Sequence, residues 1–320
     1  MAWIIGIDEA GYGPNLGPLV MSAVAYRVPH KVASANLWHV LAEAACQEAA
    51  EDDKIWVNDS KELYSTSKGI GDLERNVLAV FAADRLHQPL SLFDWLAELA
   101  PAANDDHGSL PWYGVDRQLP VEVSLEGLQE PAARFRTVCD ASGIGLAAVY
   151  SRVVEPASFN RAVDHWGSKG GALAEAVQSL IGALLPRLEV DEPVYFVVDK
   201  HGGRNTYAAL LQHCFADGLV FVRQESMACS QYDIQGYAGP ISLRFQPRAD
   251  SEHFCVALAS MLSKYLREML MGEFNRFWLE RLPGLQPTAG YPMDASRFYD
   301  AIRPMVEQLG IAHEVVWRKR

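Results

Sequence analysis

The sequence predicts an α/β protein, and two observations carry that reading. Short apolar runs rich in β-branched residues alternate with longer stretches of helical periodicity. Two of those runs also deliver carboxylates to their ends: Asp8-Glu9 follows Trp3-Ile4-Ile5-Gly6-Ile7, and Asp199 follows Val194-Tyr195-Phe196-Val197-Val198.

Residues 3–8 and 19–27 read as strands, with the Gly17-Pro18 turn just before the second, so the chain opens with an antiparallel pair. Helical patterns follow from Asn36 to about Ala50 and from Asp72 to about Leu86. Between Gln88 and Asp140 the composition shifts to Pro, Asp and Gly with isolated aromatics, as in Pro101-Ala102-Ala103-Asn104-Asp105-Asp106-His107-Gly108. This stretch, about 87–140, reads as an insertion. Strands are expected at Gly145–Val154, Val194–Asp199, Leu219–Arg223 and near Ile241–Phe245, with helices at Gly170–Leu185 and Thr206–Phe215. A long helix runs from Glu252 to about Leu279 and opens a mostly helical last third, an extension from about residue 270. No repeat or Gly/Ser linker divides the chain, so residues 1–320 are expected to form one elaborated domain.

At 320 residues and 49% hydrophobic content the chain can bury a sizeable core. No apolar segment approaches a membrane span, and Asp8 and Glu9 interrupt the apolar start, so no membrane partner and a cytoplasmic location are expected. Five scattered cysteines lack the close pairs of zinc sites and read as reduced thiols. A formal charge of −12 excludes a chain-wide electrostatic grip on nucleic acid. Any such contact must be local or metal-mediated.

In a strictly extended strand Asp8 and Glu9 face opposite sides of the sheet, so their joint use is expected to need the strand to end or bulge there, which Gly11 and Gly13 permit. The bland reading is a strand followed by an acidic surface turn. Acids at several strand ends point instead to an oxygen-ligand site for Mg²⁺ or Mn²⁺, since no His/Cys cluster offers softer ligands. The late helix carries a fourth candidate acid in Ala259-Ser260-Met261-Leu262-Ser263-Lys264-Tyr265-Leu266-Arg267-Glu268.

With these motifs the chain resembles the type 2 ribonucleases H, the ribonuclease HII family, whose opening motif reads Asp-Glu-Ala-Gly-Arg-Gly-Pro and whose late helix reads Ser-Ile-Ile-Ala-Lys-Val-x-Arg-Asp. Asn58-Asp59-Ser60-Lys61-Glu62-Leu63 is similar to the family's Asp-Ser-Lys-x-Leu, and Pro156-Ala157-Ser158-Phe159-Asn160 to its Ile-Asp-x-x-Asn. Gly290-Tyr291-Pro292-Met293-Asp294 resembles the Gly-Tyr-Pro-x-Asp run of archaeal and eukaryotic members, and Asp199 with Arg204-Asn205-Thr206-Tyr207 their catalytic-aspartate segment. The insertion lies outside the resemblance.

The resemblance implies a ribonuclease H-like fold, a mixed central sheet flanked by helices with a helical C-terminal part. It implies Asp8, Glu9, Asp199 and Glu268 as catalytic metal ligands for Mg²⁺ or Mn²⁺, and cleavage of RNA in RNA–DNA hybrids, or at ribonucleotides embedded in duplex DNA, leaving 5′-phosphate and 3′-hydroxyl ends. It implies that Gly11, Tyr12 and Gly13 with Tyr291 read the ribose 2′-hydroxyl, and that Lys61, Arg204 and Lys264 meet phosphates. Two departures stand out: Tyr12 replaces the family's Arg, removing a cationic fork, and Glu268 replaces its Asp. A diverged, non-cleaving protein that binds nucleic acid or a partner is the competing reading, and a metal nuclease for another structured nucleic acid is a third. In the unusual Lys200-His201 pair a basic neighbour could balance the acids or act on the leaving group, while His201 by itself reads as a loop histidine, His253 as a surface or capping residue, and the tryptophans Trp56, Trp95, Trp112, Trp166 and Trp278 as packing residues.

Overall fold

The computed structural model describes residues 1–49, 53–84, 91–100, 110–188 and 191–319. Its strands are β1 (Ala2–Ala10), β2 (Leu19–Val28), β3 (Ala45–Cys46), β4 (Ile55–Trp56), β5 (Gly145–Val154), β6 (Val194–Asp199), β7 (Leu219–Glu225), β8 (Ser230–Gln235) and β9 (Ile241–Gln246). Its helices are α1 (Leu37–Val40), α2 (Ser60–Leu63), α3 (Gly71–Ala83), α4 (Leu92–Leu99), α5 (Glu126–Ser142), α6 (Pro156–Trp166), α7 (Lys169–Leu184), α8 (Ala208–Cys214), α9 (Ala249–Glu252), α10 (Phe254–Arg281), α11 (Pro292–Gln308) and α12 (His313–Val316).

Seven strands form one sheet in the order β5-β2-β1-β6-β9-β8-β7. The hairpin β1–β2 and its neighbour β5 are antiparallel. β6 and β9 then run parallel to β1, and β8 and β7 return antiparallel. This bears out the expected ribonuclease H-like class: a mixed sheet, flanked by helices, with a helical C-terminal part. The parallel trio brings the C-terminal ends of β1, β6 and β9 to one edge, where ligands gather in open α/β sheets.

Alternation along β1 sends Ala2 and Ile4 into one core with α3, α5 and α10, and Trp3, Ile5 and Ile7 into a second core with α6, α7 and α8. Helix α10 is buried along most of its length, and each of Leu258, Leu262, Leu266 and Leu270 contributes about 1.5–3 kcal/mol by leaving water. Gly6 makes this packing possible. A Cβ there would stand 2.2 Å from the backbone of Cys255 and Val256, so any larger residue would push α10 off the sheet.

Two expectations change, and the described parts of a third segment find their place. The helix expected over Asn36–Ala50 stops at Val40, and Ala45-Cys46 is extended against β4. The indole of Trp56 donates to the Gln47 carbonyl at 3.0 Å and the Asn58 amide to the same oxygen at 2.9 Å, so tertiary donors take an acceptor that a helix would have used internally. The described parts of 87–140 are built into the core: Trp95, Trp112, Leu128 and Phe135 are buried beside α3 and α10. The Pro101–Gly108 run lies outside the described residues. Finally, β1 neither ends nor bulges at Asp8 and Glu9; the register continues to Ala10 opposite Val20.

Among the described residues no helix is long and apolar enough to cross a membrane. All five cysteines are free thiols.

Candidate active site

The break in β1 comes at Gly11, whose φ of +93° favours glycine and turns the chain out of the sheet. Just before it, Asp8 is buried on the α10 side, 6% exposed. Ser263 of α10 donates to the Asp8 carbonyl at 3.0 Å, while Ser260 bonds the Asp8 side chain. The Asp8 carboxylate also accepts from the Glu9 amide at 2.8 Å. Asp199 ends β6 and accepts from the Ala249 amide at 2.9 Å, which ties the start of α9 to the sheet edge.

These acids perturb one another. Burial, then the charges of Glu9, Asp199 and Asp250, drives the Asp8 carboxyl far above its ordinary range. Burial and Asp199 lift Glu9 to about 8, with Lys61 opposing and Asp250 adding. Asp199 is raised by burial despite its bond from Ala249 and the nearby Lys61 charge. Asp8 and Glu9 leave opposite faces of a regular strand, yet both feel the charge of Asp199 at the same sheet edge.

Sequence reasoning missed Asp250. It is buried on α9, and burial followed by the charges of Asp59 and Asp199 lifts it to about 6. The signal was close to the one that marked Asp8 and Asp199, an acid near the C-terminal end of a strand, here shortly after β9. Asp199 anchors Ala249, the residue beside it, so one acid of the group places the next.

The hydrogen bonds and ion pairs of Glu268 run to basic and hydroxyl partners rather than to these acids. Its carboxylate takes Lys264 at 2.5 Å, Arg267 at 3.2 Å and the Tyr64 hydroxyl at 2.8 Å. Burial raises it, but those partners outweigh burial and leave Glu268 below the usual carboxylate range.

The other expected residues divide similarly. Lys61 extends from α2, pairs with Asp59 at 3.3 Å, and feels the charges of Asp250 and Asp8. Lys264 is committed to Glu268 and lies 4.4 Å over the Tyr64 ring. Arg204 donates to the Thr206 carbonyl and stacks 5.1 Å over Tyr207. Tyr12 feels the Glu9 charge, and Lys169 stands 5.9 Å over its ring. Gly13 faces Tyr291, whose ring would lie 3.7 Å from a Cβ at that position. Lys200 is buried, bonded to Asn205 at 2.8 Å and to the Ser226 carbonyl at 2.5 Å. His201 is buried between Tyr207 and Phe245, and burial lowers it to about 3, so it is a neutral core residue.

The donor set suits a hard divalent cation. It is all carboxylate, largely withdrawn from water, and Glu9 Oε2 is buried without a hydrogen-bond partner. Among the described residues no group of three or more His, Cys, Asp or Glu side chains is already arranged to hold a metal ion. Mutual repulsion opposes closer approach until a cation offsets it.

No protein-family model matches the sequence, and no curated protein does. Solved structures do show similarity. Ribonuclease H2 from Pyrococcus horikoshii OT3 aligns at 17% identity over 98% of this chain and 92% of that chain, with a TM-score of 0.43. RNase HII from Archaeoglobus fulgidus, solved in a complex with PCNA, aligns at 15% over 99% and 94%, with a TM-score of 0.41. Bst-RNase HIII in complex with Mn²⁺ aligns at 13% over 99% of this chain and 66% of that chain, with a TM-score of 0.40. The likeness is one of fold.

Proposed function

We propose that this chain is a metal-dependent endoribonuclease that cuts the RNA strand of RNA–DNA hybrids, or cuts at ribonucleotides embedded in duplex DNA, with Asp8, Glu9, Asp199 and Asp250 as its metal-binding acids. The observation that carries the reading is the buried acid group itself: mutually raised carboxylates at the C-terminal edge of three parallel strands, inside motifs that resemble the type 2 ribonucleases H. Asp250 takes the place that the resemblance gave to Glu268. Glu268 and Lys264 instead brace α10 against Tyr64.

Divalent ions held there, Mg²⁺ or Mn²⁺, supply an activated water and charge stabilisation at the leaving 3′-oxygen. The remaining work belongs to the chain's own groups. Lys61 lies at the rim of the acids with its ammonium largely exposed, placed to meet a phosphate entering the cleft. The Gly11–Gly13 turn and the exposed Tyr291 ring form one wall where a ribose 2′-hydroxyl is read by backbone donors and stacking. Lys169 over Tyr12 supplies positive charge close to where relatives carry Arg.

The test is cleavage of a fully hybrid duplex and of a DNA duplex with one ribonucleotide, each with Mg²⁺ and with Mn²⁺. Products ending in 5′-phosphate and 3′-hydroxyl are expected. Binding of both duplexes without cleavage under either ion would instead establish the non-cleaving reading.

A further inference from the structure

The segment that follows α12 reaches back to the turn beside the acids. Trp317 makes an antiparallel bridge with Leu16. The Arg318 amide donates to the Asn15 carbonyl at 2.8 Å, and the Asn15 side chain returns a bond to the Arg318 carbonyl at 3.1 Å. Asn160 of α6 clamps the same segment, donating to the carbonyls of Trp317 at 2.8 Å and Glu314 at 3.2 Å, and accepting from the Lys319 amide at 2.7 Å. The Arg318 side chain then runs inward, 1% exposed, passing 4.8 Å over Phe159. Its Nη2 donates to the Gly11 carbonyl at 2.7 Å and to the Pro14 carbonyl.

We propose that Arg318 is a positioning residue for ribose recognition, fixing the Gly11–Pro14 turn through the carbonyls of Gly11 and Pro14. The role rests on the ribonuclease reading of the site. Stability is a poor reason to bury this group. Its Nε and Nη1 are buried without hydrogen-bond partners, and burial with repulsion from Arg267 pulls its pKa down to about 9.

What the arrangement gains is direction. A trans peptide is planar, so holding the Gly11 carbonyl aims the Tyr12 N–H the opposite way, and holding the Pro14 carbonyl aims the Asn15 N–H. The Asn15 N–H meets the Gly290 carbonyl at 2.7 Å, which ties the turn to the residue before Tyr291. Arg267 closes the other side: its Nε would lie 2.4 Å from a Cβ at Gly11, and its Nη2 donates to the Ala289 carbonyl at 3.0 Å. The recognition turn is thus held between two buried guanidiniums, one from α10 and one from the segment after α12.

The test compares wild type, Arg318→Met, Arg318→Lys and Asn160→Asp in two measurements made well below their melting temperatures. Amide hydrogen exchange should rise at residues 11–16 in Arg318→Met while the body of β1 stays protected. The ratio of kcat/KM on a single-ribonucleotide duplex to that on the all-DNA duplex should fall about 10- to 100-fold, the scale of an ångström-level misplacement. Arg318→Lys should recover part of the ratio. If Arg318→Met does not fold, Asn160→Asp, which loosens the clamp from outside, should move both readouts in the same direction by less. An unchanged ratio in a folded variant overturns the role, whether or not exchange rises. A wild type that cuts neither ribonucleotide-containing substrate overturns the ribonuclease reading, and the recognition role with it, while exchange at residues 11–16 still reports whether Arg318 holds the turn.

Discussion

Glu268 and the Asp8 group are both buried carboxylates beside α10, and the protein treats them in opposite ways. Glu268 is answered by Lys264, Arg267 and Tyr64 and is held below its ordinary pKa. Glu74, deeper still, accepts from the amides of Val121 at 2.8 Å, Glu122 at 2.7 Å and Val123 at 3.0 Å, and from the Tyr265 hydroxyl at 2.8 Å. Asp8 and Glu9 receive other acids as neighbours and are pushed up. The fold that satisfies Glu74 and Glu268 so fully leaves the Asp8 group short of positive charge. The contrast separates acids that brace the fold from the acids proposed to hold a cation, and it does so by environment rather than by motif.

Two substitutions test the contrast where the effect is largest. Asp8→Asn keeps shape but removes a metal-binding charge, so cleavage should be abolished while the metal-free melting temperature holds or rises as repulsion is relieved. Glu268→Gln should do the reverse, retaining turnover within about 10-fold while losing about 2 kcal/mol, because it strands Lys264 and Arg267 beside a neutral amide. Near-normal turnover in Asp8→Asn would remove Asp8 from the metal-binding acids, and loss of turnover without loss of stability in Glu268→Gln would return Glu268 to them.

Asp250→Asn sharpens the same comparison. As a metal-binding residue it should cost more than about 100-fold in turnover, beyond the usual loss from an outer-shell partner. It should also weaken Mn²⁺ binding measured by calorimetry. A variant that binds Mn²⁺ like wild type would leave Asp250 as a neighbour only.

Smaller effects come from pH. Glu9 has a folded pKa of about 8 against an ordinary 4.5, so the stability it contributes is fully present below 4.5 and is lost as pH rises through 8. His201 and His253, lowered by burial, act in the opposite sense up to about their ordinary 6.5. The joint signature of Asp8 and Glu9, which titrate as a coupled pair, is therefore read from about pH 7 to 8, before the buried thiols weigh heavily. The metal-free melting temperature should fall across that window, and saturating Mn²⁺ should flatten the fall because the cation binds the ionised acids of the folded state. An equal slope with and without Mn²⁺ would separate Glu9 from the metal.

The parts of this molecule legible in the sequence are those where one residue type has one physical use. The strands β1, β2, β5 and β6 announce themselves by apolar β-branched runs, and the turn after β1 by Gly11, whose positive φ favours glycine, whereas the close approach that requires Gly6 is visible only in the fold. β8 was missed because Ser230, Tyr232 and Ile234 alternate inward through a polar-looking stretch, so the period was present without the hydrophobicity. Motif spacing singled out Glu268 but says nothing about Lys264 and Tyr64, whose contacts with it are made only in the fold. Arg318 had no sequence signal at all. Its role depends on a backbone contact with Gly11 across almost the whole chain.

The finest test concerns Tyr12 and Tyr291, which share a wall with the acids but coordinate nothing. Tyr291 is 53% exposed and its ring faces Gly13, so truncating it removes stacking surface without disturbing Asp8 or Asp199. Tyr291→Ala should therefore lower discrimination between ribonucleotide-containing and all-DNA duplexes by more than it lowers Mn²⁺ affinity. Tyr12→Arg restores the relatives' cation, but Lys169 already stands over that ring, and a second positive charge there is partly redundant. Its benefit should be modest, a few-fold tighter substrate binding with a salt slope steeper by about one unit. Salt titrations of wild type, Tyr12→Arg and Lys169→Met would separate the two cations: if Lys169 serves the cleft, Lys169→Met flattens the slope and Tyr12→Arg in that background restores it. Unchanged slopes in all three would place the substrate's phosphates elsewhere and confine recognition to the Gly11–Gly13 backbone and Tyr291.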